Sequence, residues 1–442
     1  MKFLHSTTLR PILIFACGAA FGILLAGDSL RFAGAWRILP GRELNRAAVY
    51  VRDVMEIVSD KHVDEKNSAV PGLARAALHG VLESLDPHSE FLEAGRFKEL
   101  EEEISSEFGG IGVQIEMREK RVLVVTPMPN TPGERAGIRR GDEIRSIDGA
   151  PLENPTMDSV IEKLRGKPGA KVTIGLFRPA ENRDYAVTLA RETIHTESVR
   201  NVRLFDGGVG YMQITQFTDR TREEFFNALG TLSTRNAGSL IIDLRNNPGG
   251  VFDAAVDIAE PFFDKGELIV YTQGRAPGDR EEFRAEADAP PISVPVAVLV
   301  NAGSASAAEI VAGALKDTSR AVIVGERTFG KGSVQTVIRL KDGEGMRLTT
   351  ARYYTPGGAT INERGVSPQI EVVLTPEEDE NISLQLARPD LALDPAAFKE
   401  RFDMELVPDR QLAAAIAALQ GVAVFDRWQT AALGADGSER PD

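Results

Sequence analysis

"VPVAVLVNAGSASAAEIVAGALKDTSRAVIVGERTFGKGSVQ", residues 294–335, contains the pattern that decides the fold of this chain. A continuous apolar run at 294–300 is followed by an alanine-rich helical segment and by a second apolar run at 321–324. Continuous β-branched runs with helices between them are typical of parallel strands in a sheet covered on both faces. The stretch therefore predicts a strand-helix-strand unit of an α/β sheet.

The same alternation continues upstream of this stretch. The apolar segments "GVGYMQITQF" and "GSLIIDL" and the turn "NNPGG" alternate with the helical segments "TREEFFNALGTL" and "VFDAAVDIAEPFF". Reactive groups of open α/β sheets gather at the carboxyl ends of the strands. We therefore predict a large α/β domain over residues 183–375, with its site at the strand ends.

Residues 108–179 have a different pattern, because short β-branched strands alternate there with glycine and proline turns. The segment "NTPGERAGIRRGDEIRSIDG" resembles the middle of a PDZ domain. This resemblance implies a mostly-β, peptide-binding domain, which we place at residues 96–182. It also implies that the loop of Gly110, Ile111 and Gly112 presents backbone N–H groups to a chain-terminal carboxylate, while the ligand adds a strand to the sheet edge.

Helical patterns flank these two domains. Apolar residues recur at spacings of three and four in "AAVYVRDVMEIV", so residues 28–95 are predicted to form an N-terminal helical region. Residues 376–442 form a C-terminal extension with an amphipathic helix near 409–421. We expect this helix to pack on the core of its own chain, and packing on a second chain is the alternative.

The first residues predict export. Lys2 and Arg10 precede the uncharged run "PILIFACGAAFGILLA", whose length lies between that of a secretory h-region and that of a membrane span. Residues 1–27 are therefore predicted to be a signal peptide or an N-terminal membrane anchor, which places the chain in the periplasm or cell envelope. Cys17, the only cysteine, lies in this run, so the folded part can form no internal disulfide.

Composition limits the function classes. Of the 442 residues, 43% are apolar and 26% charged, as in folded globular chains, and the length suits two or three domains. The net charge of −14 argues against nucleic acid as a partner, because phosphate binding depends on clustered lysine and arginine.

Two strand ends carry candidate catalytic side chains, since Ser304 and Ser306 follow one strand and Lys331 follows the next. A serine hydroxyl needs a base within hydrogen-bonding reach. None of the five histidines lies at a strand end of the α/β domain, which disfavours a Ser-His-Asp triad. A lysine kept neutral by burial can take the proton instead, and Lys331, close to Phe329 and glycines on a tight turn, has surroundings suited to that role.

Other interpretations of these residues stay open. Ser306 and Glu309 form the capping-box pattern S-x-x-E, so Ser306 also fits an ordinary helix start. Lys331 also fits an exposed turn lysine. The segment "GERTFGK" resembles a phosphate-binding loop, but Gly332 stands where that loop needs a hydroxyl, and the β-branched residues after it disfavour the required helix. An ATPase is therefore the least favoured function.

Several motifs together resemble one family. Residues 299–335, with "GYMQITQF", "IIDLRNNPGG", "ARYYTPGGATINERGVSPQIEV" and "LDPHSEFL", closely resemble the C-terminal processing peptidases, also called tail-specific proteases. The resemblance covers residues 44–374. It implies a multi-domain α/β fold with a crotonase-like protease core and an inserted PDZ domain, and a serine-lysine dyad that uses no metal or cofactor.

The resemblance also implies roles for individual residues. Ser306, the second serine of the S-A-S element, corresponds to the nucleophile and Lys331 to the general base. Gln335 corresponds to the residue that orients the lysine amine, and Asp317 is expected to give structural support.

An oxyanion hole made of backbone N–H groups is implied as well. Ala307 is expected to supply one N–H group from the positive end of a helix dipole, and either Gly249 or Gly250 the other. Ala308 stands where the family often has serine, which removes no catalytic group.

The function expected from all of this is an exported serine endopeptidase that cleaves protein or peptide substrates with free C-terminal tails through an acyl-enzyme. The alternative is a catalytically silent PDZ scaffold of the cell envelope. The N-terminal segment is expected to contact the membrane. A regulatory or adaptor partner and a homo-oligomer stay open.

Overall fold

The computed structural model describes residues 41–435. The signal peptide or anchor predicted at residues 1–27, with Cys17, lies outside the described residues, as does the extreme C-terminus. No helix in the described part of the chain is both long enough and apolar enough to span a membrane.

The chain divides into two compact units, and the first ends at Leu85. Its described part contains helices α1 (Arg42–Lys61) and α2 (Val70–Glu83), which contact each other. The two helices confirm the helical pattern read from the sequence. Within these two described helices Leu82 is the only buried residue.

The second unit, residues 86–442, begins with strand β1 (Glu90–Leu92) and helix α3 (Ala94–Ser105). Strand β1 lies in a sheet of the α/β core, so the end of the helical region predicted at 28–95 belongs with the core. After Asp86 the helical region ends, and the chain becomes extended at β1 and pairs with a later strand of the core.

The PDZ domain follows and is entered and left through a two-stranded ribbon. The ribbon consists of β2 (Glu107–Gly110) and β9 (Glu192–His195). The domain itself contains β3 (Val113–Arg118), β4 (Arg121–Pro127), α4 (Pro132–Arg135), β5 (Glu143–Ile147), β6 (Ala150–Pro151), α5 (Met157–Leu164), β7 (Lys171–Arg178) and β8 (Arg183–Ala190).

The PDZ strands form one sheet in the order β3-β4-β5-β7-β8, with β6 beside β5. Strand β8 pairs along its whole length with β7, so the domain extends to Ala190 rather than ending at the predicted boundary of 182. Strand β3 is an edge strand of this sheet, because β4 is its only pairing partner among the described strands.

The α/β core contains two sheets and several helices. In chain order these are β10 (Val199–Phe205), β11 (Val209–Ile214), α6 (Thr221–Thr234), β12 (Ser239–Asp243), α7 (Phe252–Ala259), β13 (Leu268–Gln273), β14 (Arg280–Arg284), β15 (Val296–Val300), α8 (Ala307–Asp317), β16 (Val322–Gly325), β17 (Ser333–Arg339), β18 (Gly345–Tyr354) and β19 (Ile370–Glu371).

The larger core sheet has the strand order β10-β11-β12-β15-β16-β19 and is parallel from β11 to β19. Alternate residues of its strands pack on opposite faces, one face against α6, α7 and α8 and the other against a C-terminal helix. The prediction of an α/β sheet covered on both faces is confirmed. A second, antiparallel sheet has the order β1-β18-β13-β14, with β17 also paired to β18.

The C-terminal extension is helical. It contains α9 (Pro376–Ala387), α10 (Pro389–Ala392), α11 (Pro395–Phe402) and α12 (Arg410–Ala435). On α12, Leu412, Ala415 and Leu419 are buried against the larger sheet of the same chain. This confirms that the predicted amphipathic helix packs on its own core.

Candidate active site

The carboxyl ends of three neighbouring parallel strands, β12, β15 and β16, place the candidate residues together. Gly250 follows β12, Ser306 follows β15 and Lys331 follows β16. All three residues line one cavity of about 400 Å³. The apolar part of the cavity wall includes Phe252 and Ile310. The site predicted at the strand ends is therefore a real cavity, with room for an apolar side chain beside the serine.

Ser306 occupies a strained position at the start of α8. Its backbone has φ 55° and ψ −115°, a conformation that non-glycine residues rarely adopt and that is common at functional sites. The neighbouring Ser304 is fully buried, and its hydroxyl donates a hydrogen bond of 2.7 Å to the carbonyl of Leu244. Of the two serines, Ser304 is thus used in the structure of the turn, and Ser306 faces the cavity.

Glu309 is a buried carboxylate that connects the two candidate catalytic residues. Its oxygens accept hydrogen bonds from the N–H of Ser306 at 2.8 Å, the N–H of Lys331 at 2.8 Å, the N–H of Gly330 at 2.7 Å and the hydroxyl of Thr328. The helix-start function predicted from S-x-x-E is present, since Glu309 accepts from Ser306. The same side chain also fixes the backbone of Lys331, which the local pattern did not indicate.

The charge state of Glu309 reflects two opposing effects. Complete burial raises its pKa above the ordinary glutamate value, because the charged form loses solvation. The four donors act in the opposite direction, since each of them stabilises the carboxylate form.

Tyr353 forms a second connection between the same two residues. Its buried hydroxyl donates to the carbonyl of Ser306 at 3.1 Å and is also hydrogen-bonded to the carbonyl of Lys331. Burial raises the pKa of this phenol well above its usual value, so it stays protonated and remains a donor. The sequence motif "ARYYTPGG" contains Tyr353, but nothing in that motif alone indicates this contact.

Lys331 lies in a tight turn rather than in a phosphate-binding loop. A Cβ atom at Gly332 would lie 2.4 Å from the backbone nitrogen of Asn362, so glycine is needed there for close chain packing. Strand β17 begins at Ser333 where a phosphate loop requires a helix. Phe329 does not shield the amine as the sequence suggested, because its side chain is 65% exposed to solvent.

The surroundings of Lys331 favour its neutral form. Burial lowers the pKa of the lysine amine, and the positive charge of Arg347 lowers it further. The carboxylates of Asp86, Glu309 and Glu90 act in the opposite direction, but the net effect is a lowered pKa. The lysine is partly buried, which argues against an ordinary exposed turn lysine.

The "DPHSE" part of the sequence supports this side of the cavity. Asp86 accepts a hydrogen bond from the hydroxyl of Thr349 at 3.1 Å, and the Ser89 hydroxyl accepts from the Thr349 backbone N–H at 3.1 Å. Glu90 lies opposite Arg347 in the β1–β18 pairing and forms an ion pair with it at 2.7 Å. The sequence alone indicated no role for this motif. In the structure it holds β18, the strand that carries Arg347.

Gln335 lies in the same cavity as Lys331. Its amide nitrogen donates to the Ser333 hydroxyl at 2.7 Å and to the Thr349 hydroxyl at 3.4 Å. Among the described residues no hydrogen bond joins Gln335 to Lys331. The structure therefore brings the two residues to one cavity but does not pair them.

The two candidate glycines of the oxyanion hole differ in what their N–H groups do. The N–H of Gly249 donates to the side-chain oxygen of Asn247 at 2.9 Å. The N–H groups of Gly250 and Ala307 have no hydrogen-bond partner among the described residues, and both residues line the cavity. Gly250 also approaches Phe217 closely, since a Cβ atom there would lie 1.9 Å from the Phe217 carbonyl oxygen.

Asp317 lies at the opposite end of α8 from Ser306 and does not line the cavity. Its carboxylate accepts a hydrogen bond of 3.2 Å from the N–H of Gly357. The contact attaches the end of the helix to the "TPGG" turn.

None of the four histidines in residues 41–435 lines the cavity. His62 and His79 belong to the first unit, and His195 lies on β9. His88 is half-buried, and burial and then the charge of Lys331 lower its pKa, but it is not among the residues that line the cavity. In the described part of the chain no three histidine, cysteine or carboxylate side chains are placed to hold a metal ion.

The loop predicted to bind a ligand carboxylate is a close-packed turn with two N–H groups that lack a backbone acceptor in the described chain. Gly112 has φ 68°, and a Cβ atom there would lie 2.2 Å from the Cβ of Thr131, so only glycine fits. The N–H groups of Ile111 and Gly112 have no backbone acceptor within the described chain. Gly110, Ile111 and Gly112 lie at one end of a groove of about 510 Å³ between β3 and α5.

Comparison with known proteins agrees with this architecture. Residues 208–372 match the model of peptidase family S41, and residues 109–189 match that of the PDZ domain. A carboxy-terminal-processing protease from Bartonella bacilliformis is 36% identical over 374 residues, covering 82% of this chain and 83% of that protein. The carboxy-terminal processing protease CtpA of Bacillus subtilis is 36% identical over 303 residues, or 68% of this chain and 64% of that one.

A solved structure of a photosystem II D1 C-terminal processing protease is also similar. It is 32% identical, with 73% of this chain and 92% of that chain covered and a TM-score of 0.42. From the two matching models and the relatives, the chain belongs to peptidase family S41 as a serine-type carboxy-terminal processing protease with an inserted PDZ domain.

Proposed function

We propose that this protease cleaves peptide bonds through an acyl-enzyme, with Ser306 as nucleophile and Lys331 as general base. The observation that supports it most is the shared carboxylate of Glu309, which accepts the backbone N–H groups of both residues. Two residues twenty-five positions apart in the sequence are thereby fixed beside one cavity. Such positioning is what an efficient nucleophile and base require.

The mechanism begins with neutral Lys331, a form that its lowered pKa favours. The amine takes the hydroxyl proton as Ser306 attacks the scissile carbonyl, and it then protonates the leaving amine. Water hydrolyses the acyl-enzyme by the same route: Lys331 accepts a proton from the attacking water and returns it to the Ser306 oxygen as the acyl bond breaks. In this proposal Gln335, which lies in the same cavity without a hydrogen bond to Lys331, turns its amide oxygen toward the amine when substrate binds, while Ser333 holds the amide nitrogen.

The oxyanion that forms in each step is bound by two N–H groups. Ala307 supplies one, at the N-terminus of α8 where the helix dipole is positive. Gly250 supplies the other, because its N–H is unused while that of Gly249 is occupied by Asn247.

The substrates are proteins or peptides whose free C-terminal tails bind the PDZ groove. Support comes from the unpaired N–H groups of Ile111 and Gly112 and from the open edge of β3, to which an extended tail can add. Export across the cytoplasmic membrane to the periplasm or cell envelope is proposed from the apolar run at residues 11–26.

Separate Ser306→Ala and Lys331→Ala variants test the dyad on a denatured protein substrate. Both variants are expected to lose cleavage while keeping the circular dichroism of the parent chain. Lys316→Ala is the matched control, because Lys316 lies on α8 outside the cavity and bonds the Ser367 carbonyl. Cleavage by both site variants would disprove the dyad, and a parent chain inactive on every substrate would favour the silent scaffold.

Tail recognition is tested with a pair of peptides that differ only at the C-terminus. The peptide with a free carboxylate is expected to be cut faster than its amidated twin. Equal rates for the two peptides would show that the PDZ loop does not read the terminal carboxylate.

A further inference from the structure

The PDZ groove is not built from the PDZ domain alone. Together with β3 and α5, its lining includes Leu384 and Arg388, from α9 and the residue that follows it, and Phe402 at the end of α11. These three residues belong to the C-terminal extension, for which the proposed peptidase mechanism has no use. Leu384 and Phe402 are half-buried, so part of each side chain is available to a ligand.

The C-terminal helices are attached to the outer face of β3. Val113, Ile115 and Met117 pack toward the PDZ core, so Gln114 and Glu116 lie on the opposite face.

Glu116 forms ion pairs with Arg401 at 2.9 Å and with Arg388 at 3.5 Å. A third contact, between Arg140 and Asp390 at 2.8 Å, joins the same helices to the loop before β5.

Phe402 is itself held in place. Its ring packs on Phe398 with centroids 4.9 Å apart, and the guanidinium of Arg401 lies 5.3 Å from its centre. Phe398 is fully buried. The aromatic wall of the groove is thus fixed by packing on one side and by the ion pairs of Arg401 on the other.

A tail that adds to β3 must present alternate side chains to two faces. When the last residue points toward α5 and the PDZ core, the third from last does so as well. The second and fourth from last then point toward the face of Gln114 and Glu116, where the C-terminal helices lie. With a rise of about 3.4 Å per residue, the fourth-from-last residue lies roughly 10 Å from the carboxylate loop, beside Glu116.

We propose that Leu384, Arg388 and Phe402 form a second specificity subsite for the substrate tail, one that takes an apolar side chain at the fourth-from-last position. The inference rests on the proposed tail recognition and adds a determinant outside the PDZ domain. The apolar parts of Leu384 and Phe402 provide the contact, and Arg388 stays engaged with Glu116 and Asp390.

Binding to the full chain carrying Ser306→Ala tests the subsite without cleavage. Two fluorescein-labelled decapeptides have the same free C-terminus and differ only by leucine or serine at the fourth-from-last position. Fluorescence anisotropy should show the leucine peptide binding about tenfold tighter, the scale expected for desolvating one apolar side chain. Adding Phe402→Ala or Leu384→Ala should bring the ratio to within about twofold, chiefly by weakening the leucine peptide.

Two further variants make the result specific. Leu393→Ala removes a leucine that is 88% exposed in the same helical segment, and it should keep the tenfold ratio. Phe402→Leu retains an apolar wall and should keep most of the ratio, which separates loss of contact from loss of folding.

Three results would overturn the subsite. The ratio could survive Phe402→Ala, the parent chain could show no preference between the two peptides, or Phe402→Ala could tighten both peptides because the helices cover the groove instead of lining it. Amidated peptides that bind as well as free ones would refute the tail recognition itself, whereas binding of free tails without a fourth-residue preference refutes only the subsite.

Discussion

Replacing Glu309 tests whether a single carboxylate holds the catalytic residues together. Glu309→Ala leaves the N–H groups of Ser306, Gly330 and Lys331 without their acceptor, together with one hydroxyl. An orphaned buried donor costs about 1–3 kcal/mol, and the contacts of Ser306 and Lys331 are only part-buried, so the total loss of unfolding free energy should be at the low end, roughly 4 kcal/mol. Glu309→Gln keeps one oxygen as acceptor but turns an amide N–H toward two donors, which should cost about 2 kcal/mol.

These costs predict measurable shifts in thermal unfolding. For a domain of this size, each kcal/mol lowers the melting temperature by about 2–4 °C, so glutamine should lower it by roughly 4–8 °C and alanine by roughly 8–16 °C. The catalytic loss should be larger than the stability loss, because a misplacement of the reacting groups by about 1 Å can reduce the rate about 100-fold. We expect kcat to fall for Glu309→Gln while KM changes little.

Glu224→Ala provides the control that is matched to Glu309→Ala. One carboxylate oxygen of Glu224 accepts the N–H groups of Ser198 and Val199 and the hydroxyl of Ser198, and Glu224 does not line the catalytic cavity. The control should lower the melting temperature to a degree similar to Glu309→Ala and leave kcat unchanged. A Glu309→Gln enzyme with the parent's kcat and a melting temperature within about 1 °C of the parent would refute the reasoning.

Four more substitutions have directional outcomes. Arg347→Gln removes a positive charge that lowers the pKa of Lys331, so the acid limb of kcat/KM should move to higher pH. Glu90→Gln removes a negative charge that raises the same pKa, so the acid limb should move to lower pH. A pH–rate profile that keeps its position in both variants would show that the pair has only a structural role. Tyr353→Phe removes the hydrogen bonds to the Ser306 and Lys331 carbonyls, which should cost about 1–2 kcal/mol and lower the melting temperature. It should also reduce kcat severalfold, and an unchanged kcat would contradict a role of Tyr353 in positioning these two residues. The added Cβ atom of Gly250→Ala would overlap the main chain of Phe217 beside the cavity. This variant should therefore lose peptide hydrolysis but keep tail binding, measured by anisotropy.

The sequence predicted those parts of the fold that depend on local patterns. Continuous apolar runs indicated the parallel strands, and the amphipathic pattern near residues 409–421 indicated the helix whose Leu412, Ala415 and Leu419 are buried. The placement of Ser306 and Lys331 at neighbouring strand ends followed from the order of the parallel strands. Each of these inferences needed only nearby residues and general rules of sheet topology.

The remaining contacts join residues that are distant in sequence. Tyr353 reaches the Ser306 carbonyl across 47 positions, and Arg388 reaches Glu116 across 272 positions. No local pattern encodes such pairs, because they depend on how whole domains and extensions fold back on one another. Local reasoning also attributed the shielding of Lys331 to Phe329, whose side chain in fact faces solvent.

The two bridges from Glu309 and Tyr353 have a consequence for regulation. One bridge binds the amide groups of the serine and the lysine, and the other binds their carbonyl groups, so the two main chains are tied together at both groups. Neither bridge holds the side chain of Lys331, because both contact only its main chain. A ligand that moves the amine away from the serine hydroxyl therefore has to break neither bridge.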